Sequence, residues 1–158
     1  VGTISSLWEA NMEVLDPEHS GINLFDNNWK IYSRNSGMTG HKISASADVH
    51  DSMITDGCRI KGTVKHSVLF AGVKVAEGAV VEDAVVMGGT TIERGAVVRH
   101  CIIAENVTIK ENAVVGAMPE GDEHGVATVG SGITIGEGAV IGPKAMVRNN
   151  VEGGEEQW

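Results

Sequence analysis

The sequence predicts a mainly β protein: a solenoid of short parallel strands, preceded by one N-terminal helix. Three observations predict it. Apolar, mostly β-branched residues return every five or six positions from Ile43 onward. Glycine is abundant (21 residues) and proline scarce (3), the balance of a chain that bends often and tightly rather than of a Pro-rich disordered one. Aromatic residues are 4% of a chain that is 42% hydrophobic, so the core must be aliphatic. At 158 residues the chain fits one ordinary domain, or a small domain with a lead-in.

The lead-in comes first. Ile4, Leu7, Trp8, Met12 and Leu15 recur at helical spacing and predict a helix over residues 3–16. Ser6 with Glu9 fits a capping box, and Asp16-Pro17 stops the run. Residues 1–20 are therefore read as a linker helix and 21–42 as an irregular connector. The connector holds one strand-like piece, Trp29-Lys30-Ile31-Tyr32, between Asn- and Gly-rich stretches.

The repeat occupies residues 43–151. Ile43, Val49, Ile54 and Ile60 open the series, and Ile92, Val98, Ile103, Ile109 and Val115 continue it. Ile135, Ile141 and Val147 close it. A small residue often follows four places later, as Ala79 follows Val75 and Ala113 follows Ile109. This is a hexapeptide repeat. One short strand cannot bury its own apolar side chain. Three strands close a triangular coil, and stacked coils bury a continuous column. The large residue points into the column and the small one fits the corner. The series predicts about five coils, then a break at 116–132 read as a loop extruded from one corner, then one more coil. Residues 152–158 are read as a solvated acidic tail, and Trp158 as either its disordered end, the favoured reading, or an anchor on a partner coil.

Composition also excludes functions. The net charge is −9, and no basic stripe suited to a nucleic-acid backbone is visible. No apolar run approaches the ~20 residues of a membrane span, and no signal peptide is visible. Cys58 and Cys101 form no C-x-x-C pair and sit among β-branched residues, so they read as core fillers in a reducing compartment. The expected location is cytoplasmic.

The non-repeat start narrows the family. Val1-Gly2-Thr3-Ile4-Ser5-Ser6-Leu7-Trp8-Glu9-Ala10-Asn11-Met12 resembles the junction segment of bacterial glucose-1-phosphate adenylyltransferases (ADP-glucose pyrophosphorylases). Trp29-Lys30-Ile31-Tyr32-Ser33 is similar to that family's W-x-I-Y-[ST]. Asp51-Ser52-Met53-Ile54, Gly57-Cys58-Arg59-Ile60 and Ser67-Val68-Leu69-Phe70 are similar to its first coils. The resemblance covers most of residues 1–115. It implies a single-stranded left-handed parallel β-helix, against the usual right-handed crossover rule. It also implies that the chain is the C-terminal part of a larger enzyme that makes ADP-glucose from ATP and glucose 1-phosphate, for glycogen synthesis. ATP and Mg²⁺ would then bind in an N-terminal catalytic domain that lies outside this chain, and the chain alone would be inactive. No GxGxxG or Walker-type loop occurs here, and Gly88-Gly89 reads as a bend.

The resemblance further implies partners: the enzyme's own catalytic domain, other subunits of a tetramer, and anionic effectors near the junction, with no nucleic acid and no membrane. Two positions where plant-type relatives carry cations for a phosphate fall at Glu105 and Glu137 here. Coulomb repulsion would oppose an anion there. The expectation is weak activation, or use of other cations such as Arg34, Lys42 or Arg99. No catalytic, cofactor-binding or metal residue is assigned within the chain.

Rival readings rest on other residues. A hexapeptide acyltransferase would use a histidine as general base, and His66 and His100 are its candidates; the blander expectation is that both are exposed coil residues. A Zn²⁺ site would need three converging histidines, but His41, His50, His66, His100 and His124 lack ligand spacing. A non-catalytic regulatory subunit of the adenylyltransferase family is a third reading. For Trp8 and Trp29, packing is expected rather than ligand binding.

Overall fold

The computed structural model describes residues 2–32, 34–121 and 125–158. The repeat folds as a three-faced parallel β-helix. The first face stacks Lys42–Ile43, Arg59–Ile60, Lys74–Val75, Thr91–Ile92, Thr108–Ile109 and Thr134–Ile135. The second stacks Asp48–His50, Thr63–Lys65, Val80–Glu82, Val97–Arg99, Val114–Val115, Val140–Ile141 and Glu156–Gln157. The third stacks Met53–Ile54, Val68–Leu69, Val85–Val86, Cys101–Ile103, Ala127–Val129 and Met146–Val147. All the strand pairs are parallel and in register, so equivalent residues of successive coils sit one above another.

Register makes the core. Ile60, Val75, Ile92, Ile109 and Ile135 form the inner column of the first face. Val64, Val81, Val98, Val115 and Ile141 do so for the second, and Leu69, Val86, Ile103, Val129 and Val147 for the third. Ala79, Ala96, Ala113 and Ala139 are fully buried where the chain turns from the first face to the second, where nothing larger fits. Two buried hydroxyls bridge coils. Ser67 Oγ donates to the Lys65 carbonyl and accepts from Ala84 N–H. Thr90 Oγ1 donates to the Ala104 carbonyl and accepts from Val107 N–H. The opening coil has no coil above it, and Ile43, expected in the column, is 44% exposed.

Two expected irregular regions are partly regular. Ala127–Val129, placed in the loop by the sequence, is a strand paired with Cys101–Ile103 on one side and Met146–Val147 on the other. Its inner residues Ala127 and Val129 are buried. The insertion lies between Val115 and Ala127, within the fifth coil, and it hides the repeat because the next column residue, Val129, stands 14 positions after Val115 instead of five or six. The acidic tail is ordered as well. Glu156–Gln157 pairs with Val140–Ile141, and Gly142 N–H donates to the Gln157 carbonyl at 2.7 Å. Pairing satisfies backbone groups that the last coil would otherwise leave open. The Trp158 ring lies over Gly142, where a β-carbon would clash with it. Trp158 thus rests against the preceding coil rather than forming a disordered end, with most of its side chain exposed.

The lead-in forms α1 (Ile4–Glu13) and α2 (Pro17–Ser20). The capping box is Thr3 with Ser6, not Ser6 with Glu9. Thr3 Oγ1 accepts from Ser6 N–H at 3.1 Å, and Ser6 Oγ accepts from Thr3 N–H at 3.0 Å. Thr3 and Ser6 satisfy each other's backbone donors reciprocally, which places Ser6 inside the first turn. Asp16 caps α2, with Pro17 at its first position. Trp29–Tyr32 pairs with no strand, and Phe25, Trp29 and Tyr32 are exposed. Among the described residues, no helix is long and apolar enough to cross a membrane.

Candidate functional site

The chain turns from the second face to the third at a corner where Asp51, His66, Asp83, His100 and Gly116 all adopt positive φ. Polar side chains occupy it in the first four coils, and glycine in the fifth. Asp83 is the hub. Its Oδ1 lies 2.8 Å from His66 Nδ1 and its Oδ2 lies 2.6 Å from His100 Nδ1. An ionised carboxylate only accepts, so each Nδ1 is the protonated nitrogen. Trp8 of α1 closes the group. Its Nε1–H donates to the Asp83 carbonyl at 2.9 Å, and its ring lies 4.6 Å from the His100 ring.

Around this clasp α1 buries its apolar stripe. Met12 packs with Val85, Ile102 and Val126, flanked by Ile4, Leu7, Trp8 and Leu15. Val85 and Ile102 are outward-facing residues of the third face. That face is apolar on both sides because the helix covers it. Val126, at the end of the insertion, lies under the same helix.

Exposure separates the two histidines. His66 is half-exposed, with Nε2 available. His100, expected to be exposed, is buried at 4% because α1 lies over it. Its Nε2 is enclosed and has no hydrogen-bond partner. The sequence reading named both histidines but missed Asp83. The signal that finds it is the 17-residue interval shared by His66, Asp83 and His100, one coil apart. Beneath them, burial and then the Asp83 charge push the Cys101 thiol far above its ordinary range. Burial also raises Cys58.

The residues expected near effectors do not converge. Lys42 lies on the first face, and Arg99 on the second, with its Nε 3.2 Å from Glu82 Oε2. Glu105 sits in the turn between third and first faces, and Glu137 in the turn between first and second. Arg34 is exposed in the connector. His124 lies outside the described residues. Among the described residues, no three His, Cys, Asp or Glu side chains group as a metal site.

Comparison with known proteins bears on this architecture. The family model described as "GlmU-like, C-terminal hexapeptide" matches residues 37–136. Glucose-1-phosphate adenylyltransferase of Geobacillus stearothermophilus is 51% identical over 82 residues, covering 52% of this chain and 21% of that protein. The same enzyme of Bacillus mycoides (strain KBAB4) is 54% identical over 84 residues, covering 53% and 22%. The chain thus spans about a fifth of the length of these curated relatives. Among solved structures, the acetyltransferase domain of PglB from Neisseria gonorrhoeae aligns with a TM-score of 0.37 at 24% identity, over 72% of this chain and 52% of that one.

Proposed function

The chain belongs to the GlmU-like, C-terminal hexapeptide family, and from that premise we propose that it is the β-helix part of a glucose-1-phosphate adenylyltransferase. The carrying observation is identity above 50% over half of the chain to two enzymes of that name. The work of this part is assembly. The Trp8–Asp83–His100 clasp fixes α1 to one corner, so whatever α1 connects to is held at a set orientation. The exposed apolar side chains of Phe25, Trp29, Ile31 and Tyr32 offer the rest of the protein, or a neighbouring subunit of a tetramer, a surface to bury. ATP, Mg²⁺ and glucose 1-phosphate are handled by the nucleotidyltransferase domain, in the bacterial cytoplasm, for glycogen synthesis. Acidic Glu105 and Glu137 make activation by sugar phosphates weak in this reading.

The test is pyrophosphate release from ATP and glucose 1-phosphate with Mg²⁺. The full protein that carries this chain should turn over, and the chain by itself should not. No turnover by the full protein would sink the proposal. One observation favours a second reading, a hexapeptide acyltransferase: His66 is half-exposed and held through Nδ1 by a carboxylate, leaving Nε2 as a base. Acetyl transfer from acetyl-CoA by the chain, lost in His66→Ala, would replace the first reading with this one.

A further inference from the structure

The first face carries an unexplained concentration of positive charge. Its outward residues begin Lys42, Arg59, Lys74, stacked in register on three successive strands. Lys61, one position beyond Arg59, and Arg94 add two more. These five line one open groove of about 680 Å³. They are five of the 12 basic residues in a chain of net charge −9. Lys42, Arg59 and Lys74 lie 17 and 15 positions apart, and only the register brings them together.

Like charges directly opposite on paired strands repel. The second face relieves its own cations with carboxylates: Lys65 lies 3.7 Å from Asp48, and Arg99 pairs with Glu82. On the first face, the side chains of Lys42, Lys61, Lys74 and Arg94 have no ion-pair or hydrogen-bond partner among the described residues. Arg59 is oriented instead. Its Nη1 donates to the Gly40 and Cys58 carbonyls at 3.2 and 3.3 Å, and its Nη2 to Thr39 Oγ1 at 3.4 Å. That leaves Nε–H and one Nη2–H for a ligand. An anion spanning the groove would relieve the repulsion and meet a guanidinium already held in place.

The groove also limits the ligand. The three stacked cations span about 10 Å at the usual strand spacing. Glu93 and Glu111 line the groove further along the stack. A long polyanion would run onto these acids, and a single phosphate would meet only part of the ladder. We infer that the first face binds a short linear oligophosphate, inorganic or the phosphate chain of a nucleotide, along Lys42, Arg59 and Lys74. This inference is independent of the assembly role proposed above, because its readout is binding and not turnover.

The test is calorimetric titration of the chain with inorganic triphosphate at low salt, in EDTA so that no metal contributes. Saturable binding is expected, with orthophosphate at least about tenfold weaker. The Arg59→Ala/Lys74→Ala double variant should lose at least about tenfold, and Lys65→Ala on the second face should bind as the wild type does. A nucleoside triphosphate arm separates the sources: affinity equal to that of triphosphate assigns the phosphate chain alone, and tighter binding assigns a nucleotide. Amide shift perturbation of the wild-type chain gives a second readout that requires no variant to fold. Perturbation centred on Lys42, Arg59 and Lys74 supports the inference. Absence of saturable binding, perturbation centred on another face, or affinity unchanged in the double variant would overturn it.

Discussion

Asp83 ties together side chains that are distant in the chain: His66 and His100 through its carboxylate and Trp8 through its carbonyl. Because Asp83 and His100 are both buried, Asp83→Ala leaves the His100 ring with neither nitrogen paired. The expected cost is about 3 kcal/mol, in the range for breaking a buried polar pair, read from urea unfolding. A loss within error of zero would show that the corner is held by packing alone. The two thiols give a second expectation. Desolvation keeps Cys58 and Cys101 protonated, and protonated thiols are poor nucleophiles. Both should be silent toward a disulfide thiol reagent in the folded chain and should react on unfolding, whereas prompt reaction of Cys101 in native buffer would contradict the burial described. At this scale the sequence was partly readable. His66 and His100 could be picked out as residue types, but their shared partner shows only in the 17-residue interval, which depends on how many residues each coil uses.

At the scale of elements, α1 closes the third face. Its stripe buries Met12 against Val85, Ile102 and Val126, and Trp8 hydrogen-bonds to the prism through the Asp83 carbonyl. Trp8→Ala should therefore loosen the helix without unfolding the solenoid. In hydrogen exchange, amides of Ile4–Glu13 should lose protection while those of Val98, Ile103 and Ile109 keep theirs. Uniform loss across both regions would mean that helix and prism unfold as one unit. The helix was legible from its 3.6-residue spacing, but its cap was misplaced from Thr3 to Ser6, since two hydroxyls three apart both fit the start. The Ala127–Val129 strand and the final Glu156–Gln157 strand were not legible. Val129, the column residue of the first, stands 14 positions after Val115, and an acidic strand carries no apolar signal at all; each is fixed by the backbone pairing of its neighbours.

For the whole molecule, stability is a stack of nearest-neighbour interfaces. Ile109 is fully buried, between Ile92 and Ile135. Ile43 is the outermost residue of its column and 44% exposed. Ile109→Ala should cost about 2–5 kcal/mol, and Ile43→Ala well under half of that. Comparing thermal unfolding of the two variants checks the gradient. Equal losses would mean that the opening coil is covered by something, such as another subunit.

The repeat, the aliphatic column, the small corner residues and the existence of the leading helix can all be read from the chain alone. These are properties of which residue types recur, and recurrence is visible in one dimension. Which residues of different coils meet is set in three dimensions. The His66–Asp83–His100 stack and the Lys42–Arg59–Lys74 ladder both follow from register; the stack keeps a 17-residue interval, but the ladder's steps of 17 and 15 residues follow no fixed period. Burial of His100 was likewise decided by a helix that packs from nearly 90 residues away, a contact whose position no local preference encodes.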